Sequence, residues 1–266
     1  MAKERNFNRR FAKEYNWFRT LFYMSFLYFV VYPIYNIYYD YKVIGRENLP
    51  PKTAKRGKYI YAANHVSQLD PPMVVMGAHC PIAFMAKKEL FEPDCKIKWL
   101  VKRLGAFAVD RSKPEIATFK TVRDVLTTSW SLGIFPQGTV KPYGKLEGIK
   151  KGFAEIAKVA KADIVPVAIA EWTGYLKVWP IFPFKRQHVV IKVGKPISYQ
   201  LSHEEIIYQW AQQISEMADY ENCIPKPQEN TDIKTQEKEK AEVWKFIRYK
   251  KAPFYRGFIL FKERNF

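Results

Sequence analysis

Three regimes of apolar and polar positions follow one another along the chain. The first is Leu21–Tyr38 (LFYMSFLYFVVYPIYNIY), 18 residues without a charge. The second, from about 41 to 224, alternates short β-rich runs with helical periodicity. Its predicted strands are Tyr41–Gly45, Tyr59–Ala63, Ile82–Ala86, Ala106–Asp110, Gly133–Phe135, Ile164–Ala170 and His188–Val193. Several are almost wholly apolar, as strands covered on both faces are. Pro166 inside one of them marks a bulge or an edge. Helical spacing appears over Pro72–His79, Lys96–Leu104, Glu115–Trp130, Gly148–Lys161 and His203–Tyr220; in the fourth, Ile149, Phe153, Ile156, Ala157 and Ala160 share one face. The alternation predicts a single α/β domain over 41–224, a mixed and largely parallel sheet flanked by helices. The third regime is a polar, Pro-bearing linker from Pro225 to about Glu242, then a basic and aromatic tail within 225–266.

Charge sharpens this picture. The 266 residues carry 44 Lys and Arg against 26 Asp and Glu, a formal net charge of +18. Nucleic acid and anionic lipid are the two general partners for such an excess. With 48 % hydrophobic residues the chain is no disordered solvating polymer, and a single long apolar run excludes a multi-span membrane protein. Cys80, Cys95 and Cys223 are too few and too scattered for a disulfide framework, which points to a reducing compartment.

The apolar run sits behind six basic residues and two acidic ones in positions 1–20. It approaches the length that crosses a bilayer, its tyrosines suit the headgroup boundary, and no small-residue cleavage site follows it. Segment 1–40 therefore reads as a membrane-associated helical element. Three forms are open: a helix broken at Pro33 and lying in one leaflet, a single span, or a core helix. The basic flank sets that end on the cytoplasmic face of the cell membrane. Between Val243 and Lys262, Trp244, Phe246, Tyr249, Phe254 and Phe258 interleave with Lys245, Arg248, Lys250, Lys251 and Arg256, with no acid. That pattern fits an anchor on anionic lipid, a helix docked on the domain, or stacking on single-stranded nucleic acid; two membrane signals in one chain favour lipid over nucleic acid.

The candidate chemistry follows the strand Tyr59–Ala63, where Asn64-His65-Val66-Ser67-Gln68-Leu69-Asp70-Pro71-Pro72 leaves the sheet. A His at the carboxyl end of such a strand sits where α/β folds bind ligands. Asp70 before two prolines is also a helix-start signal, with Asp as N-cap. If the chain reverses between them, the Asp70 carboxylate meets Nδ1 of His65 and leaves Nε2 to accept a proton.

Asn-His-x-Ser-x-x-Asp resembles the first motif of the glycerolipid acyltransferases, in particular the 1-acyl-glycerol-3-phosphate (lysophosphatidic acid) acyltransferases. Ala86-Lys87-Lys88-Glu89-Leu90 is similar to the family's lysine-bearing segment, and Gly105 to Arg111 to its second motif. Phe135-Pro136-Gln137-Gly138-Thr139 resembles its third motif. Lys151–Ala157 leading to Val165-Pro166-Val167-Ala168-Ile169 resembles its fourth. The motifs keep the family's order over roughly residues 41–200. The resemblance implies an enzyme of phospholipid synthesis that makes phosphatidic acid from lysophosphatidic acid. The donor is the thioester of an acyl-carrier protein or coenzyme A, and no cofactor or metal takes part. His65 is then general base and Asp70 its positioner; Lys87, Arg111, Gln137, Gly138 and Thr139 bind substrate. Anionic membrane lipid is a partner and nucleic acid is not.

The third motif departs from the family's Phe-Pro-Glu-Gly-Thr-Arg at two positions. Gln137 removes a carboxylate, and Val140 removes a guanidinium that Lys141 or Lys145 would have to replace. Two rivals follow: an acyltransferase of the same fold acting on another lysophospholipid or on glycerol 3-phosphate, and a non-catalytic lipid-binding membrane protein.

Overall fold

The computed structural model describes residues 10–50, 59–109, 116–141, 145–146, 148–171, 186–222 and 224–227. At its centre lies a seven-stranded sheet in the order β1-β8-β7-β2-β5-β3-β4. Its strands are β1 (Tyr39–Ile44), β2 (Tyr59–Ala63), β3 (Ile82–Lys87), β4 (Phe107–Val109), β5 (Ser131–Ile134), β7 (Asp163–Ala170) and β8 (Gln187–Val193). Every residue of β5, and all but the first of β2 and β7, is buried, so the middle of the sheet is covered on both faces. All neighbouring pairs run parallel except β7 with β8. The helices after the apolar segment are α3 (Asp70–Ala78), α4 (Lys98–Arg103), α5 (Ile116–Leu126), α6 (Gly152–Ala160) and α7 (His203–Ala218). Helix α3 packs on β2, β7 and β8, α5 on β5, and α7 on β7. The α/β expectation holds; a small parallel pair, β6 (Lys145–Leu146) with β9 (Glu221–Asn222), was not foreseen.

Two local expectations are corrected. Pro166 lies in the interior strand β7, opposite Ala62 of β2. It is tolerated because the β7–β8 ladder begins only at Val167, and the Pro166 carbonyl accepts from Gly194 N–H at 2.8 Å. Helix α5 ends at Leu126 rather than Trp130. The hydroxyls of Thr127 and Thr128 donate back to the carbonyls of Asp124 and Val125 and close the turn. Trp130 is thereby turned inward, fully buried, with Nε1 donating to Thr20 Oγ1 at 2.8 Å.

The apolar segment forms one continuous 22-residue helix, Trp17–Tyr38, made of α1 (Trp17–Phe26), a π-helical turn (Leu27–Val31) and α2 (Tyr32–Tyr38). Pro33 does not break it. The wide turn just ahead, in which Tyr32 N–H donates to Leu27 five residues back, opens the room that the proline ring would otherwise take from the preceding carbonyl. Tyr23, Leu27 and Tyr35 are buried against the domain. Tyr35 donates to the Leu69 carbonyl at 2.8 Å, and Tyr15, just before the helix, to Gly105 at 3.0 Å. Tyr15 and Tyr23 also meet Trp130 edge-on, with centroids 5.3 and 4.9 Å apart. The opposite face stays bare: Trp17 is 71 % exposed, Phe18 68 % and Phe29 81 %. The helix is thus tied along one flank of the domain by its buried tyrosines, with the other face left exposed.

Candidate active site

Strands β2, β5, β3 and β4 are adjacent and parallel, so the loops at their carboxyl ends emerge along one edge of the sheet. This topology brings together motifs that lie far apart in sequence. Residues 64–70 follow β2, Phe135–Lys141 follow β5, and Lys87 ends β3. Arg111, two residues beyond β4, falls outside the described residues, as do the tail beyond Pro227 and the side chain of Lys145.

The predicted reversal between His65 and Asp70 is present. Asp70 Oδ2 lies 2.7 Å from His65 Nδ1 and accepts from the main-chain N–H groups of Val66 and Ser67 at 2.7 and 2.8 Å. The N-cap expectation fails: Leu69 occupies that position, and the Asp70 carboxylate turns back to the loop instead of onto the first turn of α3. An ionised carboxylate has no proton to give, so Nδ1–H is the donor and Nε2 carries the lone pair. Among the described residues Nε2 joins no hydrogen bond, and His65 lines a cavity. Burial pushes the Asp70 carboxyl above its ordinary range, and the hydrogen bond and charge of His65, then the two main-chain donors, pull it back.

One face of His65 is held by an aromatic stack. Its ring stacks on Phe135 at 4.2 Å between centroids, and Phe135 stacks in turn on Phe84 at 5.7 Å. Phe84 can lie there because residue 133 is glycine, where a Cβ would come within 2.4 Å of its ring. Both main-chain groups of His65 are also engaged. Its N–H donates to Gln137 Oε1 at 3.0 Å, and its carbonyl accepts from Lys141 N–H at 2.8 Å. Gln137 is almost fully buried and braces the loop that bears the imidazole, and it also belongs to the lining of the cavity. Gly138 adopts φ +72°, with its N–H closing a turn on the Phe135 carbonyl.

Asn64 carries a role that the sequence did not reveal. Its side-chain amide donates to the Ile169 carbonyl at 3.0 Å and accepts from Ile169 N–H at 2.7 Å. It thus imitates one more rung between β2 and β7, while the main chain is released toward the site. Its trace in the sequence was its place at the head of the Asn-His-x-Ser-x-x-Asp motif, one step past an apolar strand.

His65 lies in the wall of a cavity of about 940 Å³. One part of the lining is polar, with Gln68, Lys87, Thr139, Lys141 and Lys150 beside His65. The remainder is largely apolar, including Leu27 and Val31 of the long helix, Val101 and Leu104 near α4, and Phe119 of α5. No Asp or Glu lines it among the described residues, and Val140 faces it where the family motif has arginine. Lys150, which motif reasoning passed over, is tied in by its N–H to the Pro136 carbonyl at 2.8 Å, and its stem runs beside Gly138. Cys80 is no competing nucleophile, because burial pushes its thiol up. Among the described residues no three His, Cys, Asp or Glu side chains gather as metal ligands.

Comparison with known proteins identifies relatives of the chain. A family model described as Acyltransferase matches residues 40–170. The 1-acyl-sn-glycerol-3-phosphate acyltransferase of Bacillus subtilis is 30 % identical over 162 residues, covering 59 % of this chain and 73 % of that protein. The proteins of the same name from Streptococcus pneumoniae and Borreliella burgdorferi are 34 % and 31 % identical, covering 52 % and 48 % of this chain and half of each relative. The crystal structure of the 1-acyl-sn-glycerophosphate (LPA) acyltransferase PlsC from Thermotoga maritima shares the fold, with a TM-score of 0.55 and 22 % identity over 75 % of this chain and 80 % of that one.

Proposed function

The chain belongs to the 1-acyl-sn-glycerol-3-phosphate acyltransferase family, and we propose that it makes phosphatidic acid at a membrane surface with His65 as general base. One observation carries the reading: His65, oriented by Asp70, lines a cavity whose described lining holds Lys87, Lys141 and Lys150, no carboxylate, and many apolar side chains. An acceptor with a phosphate at one end and a thioester with a long chain at the other need those two surroundings.

In this reading Lys87, Lys141 and Lys150, with Arg111 on its motif alone, receive the acceptor phosphate. Lysines take over from the arginine that Val140 replaces, as point charges instead of a fork. His65 Nε2 then takes the proton from the free glycerol hydroxyl as its oxygen attacks the thioester carbonyl. The tetrahedral oxyanion collapses, the C–S bond breaks, and the imidazolium returns its proton to the departing thiolate. Asp70 holds the ring and its charge throughout. Gly138 and Thr139 shape the turn beside the reacting atoms, and the apolar cavity takes the acyl chain. The donor thiol belongs to an acyl-carrier protein or coenzyme A, either of which is drawn by a chain of net charge +18. The bare outer face of the long helix rests in the headgroup layer, so the bilayer supplies the acceptor directly.

Membranes bearing the wild type or His65→Ala, given labelled lysophosphatidic acid and each thioester, test the reaction. Phosphatidic acid from the wild type alone is the expected result. Product from both would remove His65 as base, and product from neither would turn the search to other lyso-acceptors.

A further inference from the structure

A second hollow, of about 430 Å³, shares no residue with the cavity around His65. It opens at the far edge of the sheet, where four consecutive residues of the outer strand β1, Asp40–Val43, form a wall together with Asn36, Arg46 and Arg186. Three cations, Lys42, Arg46 and Arg186, thus surround a space that holds one carboxylate, Asp40, itself 3.3 Å from the His188 ring. Arg186 is already oriented: one of its terminal nitrogens donates to the Tyr39 carbonyl at 2.8 Å, which leaves its other donors for a ligand. Immediately before the hollow in sequence, the last turns of α2 present Ile34 and Ile37, 45 % and 58 % exposed, on the helix whose outer face is bare. A basic concavity adjoining exposed aliphatic side chains matches a lipid, headgroup and chain together.

We infer that the Lys42–Arg46–Arg186 hollow binds the phosphodiester headgroup of an anionic phospholipid, with its chains along Ile34 and Ile37, at a site separate from the catalytic one. The inference rests on the membrane-surface reading above. Two arginines supply the planar forks that suit phosphate oxygens, and their spacing along the edge fixes how the domain sits on the bilayer.

Flotation with phosphatidylcholine vesicles, and with the same vesicles containing phosphatidylglycerol, provides the test. The full chain should bind the anionic vesicles more tightly. Arg46→Ala with Arg186→Ala should lose roughly 25-fold of that preference, about fivefold per arginine. Binding to neutral vesicles, and acyl transfer to detergent-dispersed acceptor, should stay at the wild-type level. Arg46→Lys with Arg186→Lys keeps the charge but removes the forks, so it should also lose most of the preference. If the lysine pair keeps it, the attraction is diffuse and the site is overturned. Equal binding of the wild type to both vesicles overturns the site alone. A wild type that floats with neither overturns the membrane reading as well.

Discussion

Asp70 serves two roles that two substitutions separate. Its Oδ2 accepts from the His65 ring and from the N–H groups of Val66 and Ser67, all within 2.8 Å, in a side chain with no exposure. Asp70→Ala leaves three donors without an acceptor. Ser67 is half-exposed and regains water; Val66 and the ring are buried and do not. At about 1–3 kcal/mol for each of the two buried donors left unpaired, the loss comes to roughly 2–6 kcal/mol. For a domain of this size, at about 2–4 °C per kcal/mol, that lowers Tm by roughly 4–24 °C. Asp70→Asn behaves differently, because its amide oxygen takes over all three bonds. Its NH2 then occupies the place of Oδ1, which has no hydrogen-bond partner among the described residues. That adds an unpaired donor while removing a buried charge, two effects of opposite sign and similar size, so Tm should stay within about 4 °C of the wild type. Neither variant can stabilise the imidazolium, and kcat should fall by roughly 10²–10⁴ in both. Calorimetry beside the labelled transfer assay reads both effects. An Asp70→Asn protein as unstable as Asp70→Ala would refute the donor accounting. One that keeps kcat within a factor of ten would refute the need for the charge.

The same residue predicts a pH dependence. Burial holds the folded carboxyl above its unfolded value of about 4, so the folded state binds the extra proton, and the wild type should lose stability as pH rises through the folded value, whereas Asp70→Asn should lack that slope in Tm measured across pH. Gln137→Leu strands the buried His65 N–H and should cost about 1–3 kcal/mol with a fall in kcat, while Gln137→Glu, which keeps an acceptor there, should hold more of the wild-type activity; equal activities would show that the brace is dispensable. Lys141→Ala with Lys150→Ala should raise KM for the phosphorylated acceptor about tenfold or more while the KM of the thioester changes little, and an equal rise in both would remove the lysines from the phosphate role. Gly133→Ala drives a Cβ into the Phe84 ring and should cost at least about 1–3 kcal/mol in a urea titration, with kcat reduced in the folded fraction because Phe84 backs the ring under His65; unchanged stability would mean that Phe84 can move away.

Strands such as Tyr59–Ala63 and Ile164–Ala170 were legible because burial on both faces writes a continuous apolar run, and their order needed no tertiary knowledge. The spacing of His65 and Asp70 was legible for a related reason, since five residues allow the chain to double back within one loop. What escaped depends on partners distant in sequence. Helix α5 read as running on to Trp130, because nothing nearby says that the indole is needed by Thr20, Tyr15 and Tyr23 across the domain. The brace that Gln137 gives the His65 N–H was hidden, because the donor it satisfies lies 72 residues away. Lys150 was invisible to motif reasoning, since only the fold carries it to the wall beside Gly138.

The two departures from the family motif have different consequences, and the surrounding structure shows why. The acceptor oxygen at 137 is what the His65 N–H requires, and Gln supplies it without adding a second buried anion next to Asp70. The change at 140 removes a charge from the cavity wall, and among the described residues no arginine lines that wall in exchange. Lys141 and Lys150 supply only the sign, with main-chain N–H groups tied to His65 and Pro136. In the proposed reading the base is held in place by Asp70, Gln137 and Phe135, and the choice of acceptor falls to lysine point charges that lack the fork of an arginine.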